Sequence, residues 1–330
     1  MNKAAARPAT AADVAARAGV SRATVSHIFT GRGDNFAETT RDRVLRAAKE
    51  LDYRPSAAGR SLVLGRGDTI VVIAPKTTIG QNHLAALDRL TTDTAPIGAN
   101  VVLRFADDDP TETTTALLRM RPLAVLDMGV ALPADARERL TSQGVVLLAP
   151  QDTAVESGDV DDGRIADIQV GELTRNGPRQ IVYAALDYDR PDSWTPSRLT
   201  SLRRACEARD LPEPRSILLP PNAATADAML ARHASAGPLG IAAFNDDAAL
   251  AVLSSARRLR LHTPTDISAV GVDATPLGQL SEPRLSTIAV DMSGLIDAAV
   301  EGLNTQLGLE LCLPTPPQTE PFRLLRGGTS

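Results

Sequence analysis

Apolar side chains recur at helical spacing in three short stretches of the first fifty-odd residues, and beyond them they gather in short strand-like runs. Asp13-Val14-Ala15-Ala16-Arg17-Ala18 has the spacing of one short helix, and Gly19, free to take a left-handed backbone, ends it. Ser21 is a good N-cap, so Arg22 to Phe29 reads as a second helix with Val25, Ile28 and Phe29 on its buried side. A polar loop with Gly31 and Gly33 follows. Glu38 to Asp52 then reads as a third helix, closed onto the others by Val44, Leu45, Ala48 and Leu51 and stopped by Tyr53 and Pro55. Two short helices joined by a glycine-containing turn make a helix-turn-helix, a unit that places its second helix in the major groove of DNA.

From Thr69 the pattern changes. Thr69 to Ala74, Asn100 to Phe105, Ala124 to Asp127, Gly144 to Ala149, Gln180 to Ala185, Ile241 to Phe244 and Ile267 to Val272 read as buried strands. Helical stretches such as Pro196 to Ala208, Thr225 to Ala234 and Asp247 to Arg258 lie between them. Alternating strands and helices predict doubly wound parallel sheets.

Composition narrows the class. The chain has 330 residues, room for two or three domains, and its 43% apolar and 23% charged content excludes a disordered or collagen-like polymer. Five Phe, three Tyr and one Trp leave few rings for a platform that stacks single-stranded bases. The net charge of −5 hides an asymmetry: residues 1 to 68 hold 12 Lys and Arg against 7 Asp and Glu, and the remainder holds 23 against 33. A basic head on an acidic body suits contact of the head with a polyanion; a solvated basic face is the plain alternative. Cys206 and Cys312, with four scattered histidines, match neither a disulfide framework nor a zinc site, so a reducing compartment and no metal or cofactor are expected. No run of about 18 apolar residues and no leader-like N-terminus occur, which predicts a cytoplasmic protein without a membrane partner.

Candidate chemistry concentrates on the second helix, where Arg22, Ala23 and His27 point outward. Arginine pairs bidentately with guanine, histidine reaches a purine edge and the alanine methyl packs on thymine, while the hydroxyls of Ser21, Thr24 and Ser26 suit phosphates. An enzyme using Asp107-Asp108-Asp109 as metal ligands is a third class of reading. No histidine, phosphate loop or nucleophile elbow accompanies that run, so a solvated loop and no catalysis are expected.

The run Thr10-Ala11-Ala12-Asp13-Val14-Ala15-Ala16-Arg17-Ala18-Gly19-Val20-Ser21-Arg22-Ala23-Thr24-Val25-Ser26-His27 closely resembles the head of the lactose-repressor/galactose-repressor (LacI/GalR) family of bacterial transcription regulators. The likeness continues through Glu38-Thr39-Thr40-Arg41-Asp42-Arg43-Val44 and Leu51-Asp52-Tyr53-Arg54-Pro55-Ser56 to Arg60-Ser61-Leu62. It implies base reading by Arg22, Ala23 and His27, backbone contacts by Ser21, Thr24 and Ser26, and a hinge helix over residues 56 to 63 with Arg60 beside DNA and Leu62 as a minor-groove wedge. Eight residues with Gly59 among them cannot hold an isolated helix, so ordering there must come from docking; an unstructured linker leading to Gly65-Arg66-Gly67 is the alternative.

Further family text runs through Phe244-Asn245-Asp246-Asp247-Ala248-Ala249, Thr263 to Asp273 and Glu282 to Ile288, then to Arg326 and Thr329-Ser330. The resemblance implies an all-α helix-turn-helix head over 1–55, a hinge and linker over 56–68, and a periplasmic-binding-protein-like α/β core over 69–330. Within that core it implies an N-terminal subdomain of 69–161 plus 288–315 and a C-terminal subdomain of 162–287 plus 316–330. It further implies effector contacts from Arg198, Asn245 and Asp273, with Trp194, Tyr188 and Phe244 as the aromatic candidates. Each polar member has a structural alternative: Asp273 as a turn residue, Asn245 as a helix cap, Arg198 in a surface ion pair. The stretch after Pro75 lacks the family's aromatic segment, and Ser201 and Leu202 replace its usual glycine-aromatic pair. A modified sugar, another polar metabolite and a cleft that binds nothing therefore all stay open. The function implied is a homodimeric repressor on a palindromic double-stranded operator, controlled by a small molecule, with dimers expected because the chain stops at Ser330 without a heptad tail. A plain solute-binding module is the competing class.

Overall fold

A computed structural model describes residues 9–29, 36–53, 67–148, 163–187, 194–313 and 320–330. The head contains α1 (Ala11–Ala18), α2 (Arg22–Phe29) and α3 (Glu38–Glu50). Thr10 and Asp13 form a reciprocal capping box that starts α1, and Gly19 closes it at φ 65°. Val14, Ala15, Ala18, Val25, Val44, Ala47 and Ala48 make the head's small core, with Ile28, Phe29, Leu51 and Tyr53 packed against it. Leu45 departs from expectation. Its side chain is 45% exposed, and Ala47 takes the inward position because that face of the helix runs 44, 47, 48, 51.

The body has two sheet units. The first comprises β1 (Thr69–Ala74), α4 (Gln81–Thr94), β2 (Asn100–Phe105), α5 (Pro110–Met120), β3 (Ala124–Asp127), α6 (Ala134–Ser142) and β4 (Val146–Leu147). Its strands are all parallel, in the order β2-β1-β3-β4. The second comprises α7 (Arg164–Leu173), β5 (Gln180–Leu186), α8 (Thr195–Glu207), β6 (Arg215–Leu219), α9 (Ala223–Ala234), β7 (Leu239–Ala243), α10 (Asp246–Arg258), β8 (Ile267–Val272), α11 (Pro276–Leu280) and β9 (Ser286–Val290). After β9 the chain returns to the first unit, where α12 (Ser293–Leu307) packs on α4 and β4, and it comes back as β10 (Phe322–Leu325).

One boundary and one strand direction differ from the sequence reading. Strand β9 pairs with β8 as far as Val272–Ile288 and with β10 as far as Val290, so residues 288–290 lie with the second sheet rather than the first. That sheet, ordered β10-β9-β8-β7-β5-β6, is also not wholly parallel: β10 runs antiparallel to β9 at its edge. The reason is connectivity, since β10 arrives from α12 in the other unit instead of through a right-handed crossover within its own. Runs such as Ile181 to Ala185 and Ile241 to Ala243 are continuous and apolar because both faces of a wound sheet are covered by helices.

One buried carboxylate organises the ends of the second sheet. Asp246, with no exposed surface, accepts hydrogen bonds from the Thr275 amide at 2.6 Å, the Thr275 hydroxyl at 2.9 Å and the Thr287 hydroxyl at 2.5 Å. Gly271 makes room for it, because a Cβ there would lie 2.2 Å from Asp246 Oδ1. Gly271→Ala is therefore expected to cost about 1–3 kcal/mol of stability, read from urea unfolding at neutral pH; an unchanged midpoint would show that β8 and the Asp246 carboxylate move apart freely.

Candidate DNA-reading helix and ligand cleft

Helix α2 is aimed by its two ends. At its start the Ser21 hydroxyl accepts from the Thr24 amide at 3.0 Å and lies 2.9 Å from the Thr24 hydroxyl, while Val25 is fully buried on the opposite face. This leaves Ser21, Arg22 and Ala23 exposed and Thr24, Ser26 and His27 half-buried, with the His27 ring 6.2 Å from that of Phe36. The expected DNA-facing residues thus share one surface of the head, although Ser21 and Thr24 also spend hydroxyl capacity on each other. Arg17 on α1 pairs with Glu50 on α3 at 2.6 Å, tying the first helix to the third. Arg60 and Leu62 lie outside the described residues.

The second candidate site is the crevice between the two body units. Arg198 on α8, Asn245 and Asp273 come together at the strand ends of the second sheet, where Arg198 and Asp273 are close enough for the guanidinium to pull the carboxyl's pKa down. Each also has a structural task. The Asn245 side chain caps α10, accepting from the Ala248 amide at 3.0 Å. Asp273 sits at φ 99°, a conformation costly for anything but glycine, and its amide donates to the Ile288 carbonyl at 2.9 Å. The Arg198 guanidinium lies 6.0 Å from the centre of the Phe244 ring.

Two residues that sequence reasoning missed complete this crevice. Both come from the first turn of α4, in the other unit. Asn82 donates its amide to Asp273 Oδ1 at 3.1 Å, bridging 191 positions of sequence, and His83 stacks on Trp194 with ring centres 5.4 Å apart and planes at 24°. Gly80, which precedes that turn, passes so close that a Cβ would lie 3.1 Å from Asp273 Oδ2. No spacing signal marks Asn82 or His83, because their partners are supplied by the other unit. Tyr188 lies outside the described residues, and Phe244 is buried beneath Arg198, so among the described aromatic candidates Trp194 alone lines open space.

That open space is a cavity of about 740 Å³ lined in part by Trp194, Lys76, Asp107, Asp108, Ser197, Thr200 and Arg204. The acidic run is accounted for locally: Asp107 pairs with Arg104 at 2.6 Å, Asp108 with Lys76 at 2.7 Å, and Asp109 caps α5 through the Thr111 amide at 2.7 Å. Among the described residues no group of histidine, cysteine or carboxylate side chains is placed to hold a metal ion, and no helix is long and apolar enough to cross a membrane.

Comparison with known proteins places both parts of the chain in described families. Residues 10–56 match the family described as bacterial regulatory proteins, lacI family, and residues 170–330 match the periplasmic binding protein-like domain. The chain belongs to the lacI family of bacterial regulatory proteins. Its relatives include catabolite control protein A of Staphylococcus xylosus, 25% identical over 286 residues that cover 84% of this chain and 85% of that one. The HTH-type transcriptional repressor PurR of Vibrio campbellii is 28% identical over 294 residues, covering 85% and 86%. The fold is shared with the lac repressor dimer bound to operator and the anti-inducer ONPF, at a TM-score of 0.71 with 20% identity over 98% of this chain and 99% of that one. A lacI-family regulator from Silicibacter pomeroyi gives 0.72 and 22% over 98% and 99%. This lacI-family chain is accordingly a DNA-binding transcriptional regulator with a helix-turn-helix head and an α/β core.

Electrostatics in the crevice give a pH signature. Burial, reinforced by the Asp246 and Asp247 charges, pushes the Asp273 carboxyl up to about 6, against the pull of Arg198 and the Asn82 amide. Burial also drives His83 below the ordinary imidazole value, so the Trp194 stack is made by a neutral ring at neutral pH. Because folded Asp273 holds its proton more tightly than the unfolded chain does, the associated stability is complete below about pH 4 and is lost as pH rises through about 6. Asp273→Asn should abolish that loss, raising unfolding free energy near pH 7.5 by about 1–2 kcal/mol relative to wild type while leaving pH 4 almost unchanged. Denaturant titrations at the two pH values measure it; parallel behaviour of both proteins would contradict the assignment.

Proposed function

We propose that the chain acts in the cytoplasm as a homodimeric repressor that binds a palindromic operator and responds to a small polar molecule held between its two body units. The observation that carries this reading is the capped α2, which exposes Arg22 and Ala23 beside His27 while Val25 anchors the opposite face. Arg22, Ala23 and His27 read base edges, and Ser21, Thr24 and Ser26 meet the phosphate backbone. Arg60 and Leu62 supply the hinge contact with the minor groove, bending the duplex at the operator centre.

Exposed apolar side chains support pairing. Leu277 and Leu280 on α11 are 67% and 83% exposed, and Leu84 on α4 is 48% exposed, an expense in water that a second copy would relieve. Two copies present two heads, which calls for an inverted repeat in the DNA. The ligand acts by favouring one relative placement of the body units and thereby the spacing of the two hinges.

Arg22→Ala should weaken binding to an operator selected from random DNA by about 1–3 kcal/mol, roughly 10- to 100-fold, and relax preference at one position of each half-site. Fluorescence anisotropy against the selected and a scrambled duplex measures it. An equal loss on scrambled DNA, or a selected site without an inverted repeat, would overturn base reading by a twofold pair.

A further inference from the structure

We propose that Phe36 tunes the sequence preference of the DNA-reading helix by holding the His27 imidazole in the orientation that meets a base edge. The role rests on the reading of α2 as the base-reading helix and adds a positioning residue to it.

Residues 1–68 contain three aromatic side chains, Phe29, Phe36 and Tyr53. Two of them serve the core of the head. Phe29 and Tyr53 pack on the cluster of Val14, Val25 and Val44 and meet each other edge to face, with ring centres 5.7 Å apart and planes at 71°. Phe36 is not among the described residues packed on that core. It is half-buried all the same, and the ring it approaches is that of His27, 6.2 Å away with the planes at 60°. That separation and tilt fall within the range aromatic pairs prefer.

Nor does Phe36 serve the start of α3 in the usual way. It stands just before the Ala37 N-cap, where an apolar residue commonly packs on the fourth residue of the helix, and that residue is Arg41. The entry to α3 is fixed by other means: the Ala37 carbonyl accepts from the Thr40 amide at 2.8 Å and the Arg41 amide at 3.1 Å, and Val44 anchors the helix in the core. Phe36 is thus carried to a set place by a helix whose own start uses backbone bonds and not this ring.

His27 is carried to its place by the other partner helix. Fully buried Val25 lies two residues before it and so nearly opposite, while Ala23, four residues before it, shares its face. Between these fixed backbones only the imidazole's own two torsions remain to be settled. They matter because the two ring nitrogens of a neutral histidine differ, one donating and the other accepting, so the rotamer decides which of them reaches a base. A ring from α3 against the imidazole removes rotamers that turn away, and the side chain meets the groove with less freedom left to lose. The preference at one base position is therefore set by two residues nine apart in sequence, of which one touches the base.

Full-length Phe36→Leu, Phe36→Tyr, His27→Ala and the Phe36→Leu/His27→Ala double variant provide the test. Each is measured by fluorescence anisotropy on an operator selected from random duplex DNA by the wild-type chain, on single-base variants of its half-sites, and on a scrambled duplex. His27→Ala should remove the preference at one position of each half-site. Phe36→Leu, which keeps apolar bulk and loses the ring, should reduce preference at that same position about two- to tenfold with scrambled binding unchanged. Phe36→Tyr should retain it, and the double variant should match His27→Ala. The proposal is overturned if Phe36→Leu leaves the preference intact, if it weakens scrambled and selected DNA equally, or if Phe36→Tyr fails to rescue. A change at a different position, or a further loss on the His27→Ala background, overturns it too, since Phe36 would then act on DNA without His27. Failure of the underlying reading is visible separately: if His27→Ala leaves every base preference intact, His27 reads no base and the positioning role falls with it.

Discussion

Burying a carboxylate is expensive unless every lone pair it exposes to the interior finds a donor, and Asp246 meets that demand with Thr275 and Thr287. The consequence spreads outward. Thr275 fixes the loop that follows β8, Thr287 fixes β9 beside it, and the Thr287 hydroxyl in turn accepts from the Ala274 amide at 3.2 Å. Between these anchors Asp273 is forced to φ 99° and is left facing the other body unit. Burial also raises the Asp246 carboxyl's pKa, and the hydrogen bonds from Thr287 and Thr275 oppose that rise. The crevice side of the second sheet is therefore set by one residue of α10 that itself touches no open space.

Further ties hold the interior strands of the same sheet. Gln169 on α7 donates to the Ala243 and Val270 carbonyls at 2.8 and 3.0 Å, satisfying two strand ends from behind. Thr329 is fully buried and joins β8 to β9, donating to the Ala269 carbonyl and accepting the Ser286 amide, each at 2.8 Å. Glu172 collects Arg326 at 3.0 Å and the Ser330 hydroxyl at 3.1 Å. The C-terminal residues thus complete the second unit, even though the chain reaches them only after passing through the first. Any motion of one unit against the other must consequently act on two well-tied bodies, and the contacts it would change include Asn82 with Asp273 and His83 with Trp194.

Much of the architecture could be read from residue order alone, where the determining contacts are local. Gly19 as a helix end and Ser21 as an N-cap act over three residues or fewer, and the helix ends they predict are those observed to within a few positions. Strands β1, β2, β3 and β8 likewise match, since an uninterrupted apolar run between helical stretches has few other uses. Strands β6, β9 and β10 escaped notice: Arg215–Leu219 mixes exposed and buried positions at one sheet edge, Phe322–Leu325 has no buried position at the other, and Ser286–Val290 opens on two buried hydroxyls.

Residue order thus determined the head, the wound α/β body and the family, because capping, periodicity and strand runs are settled by neighbours in sequence. What tertiary structure alone decided is the state of the crevice. An asparagine before a helix need not cap it, and Asn245 does so through its side-chain carbonyl; an arginine beside a cleft can face either side, and Arg198 lies over Phe244 while Arg204 lines the open space. Asn82 reaches Asp273 across 191 residues. Such pairings depend on how two separately built sheets are set against each other, and no local spacing carries that information.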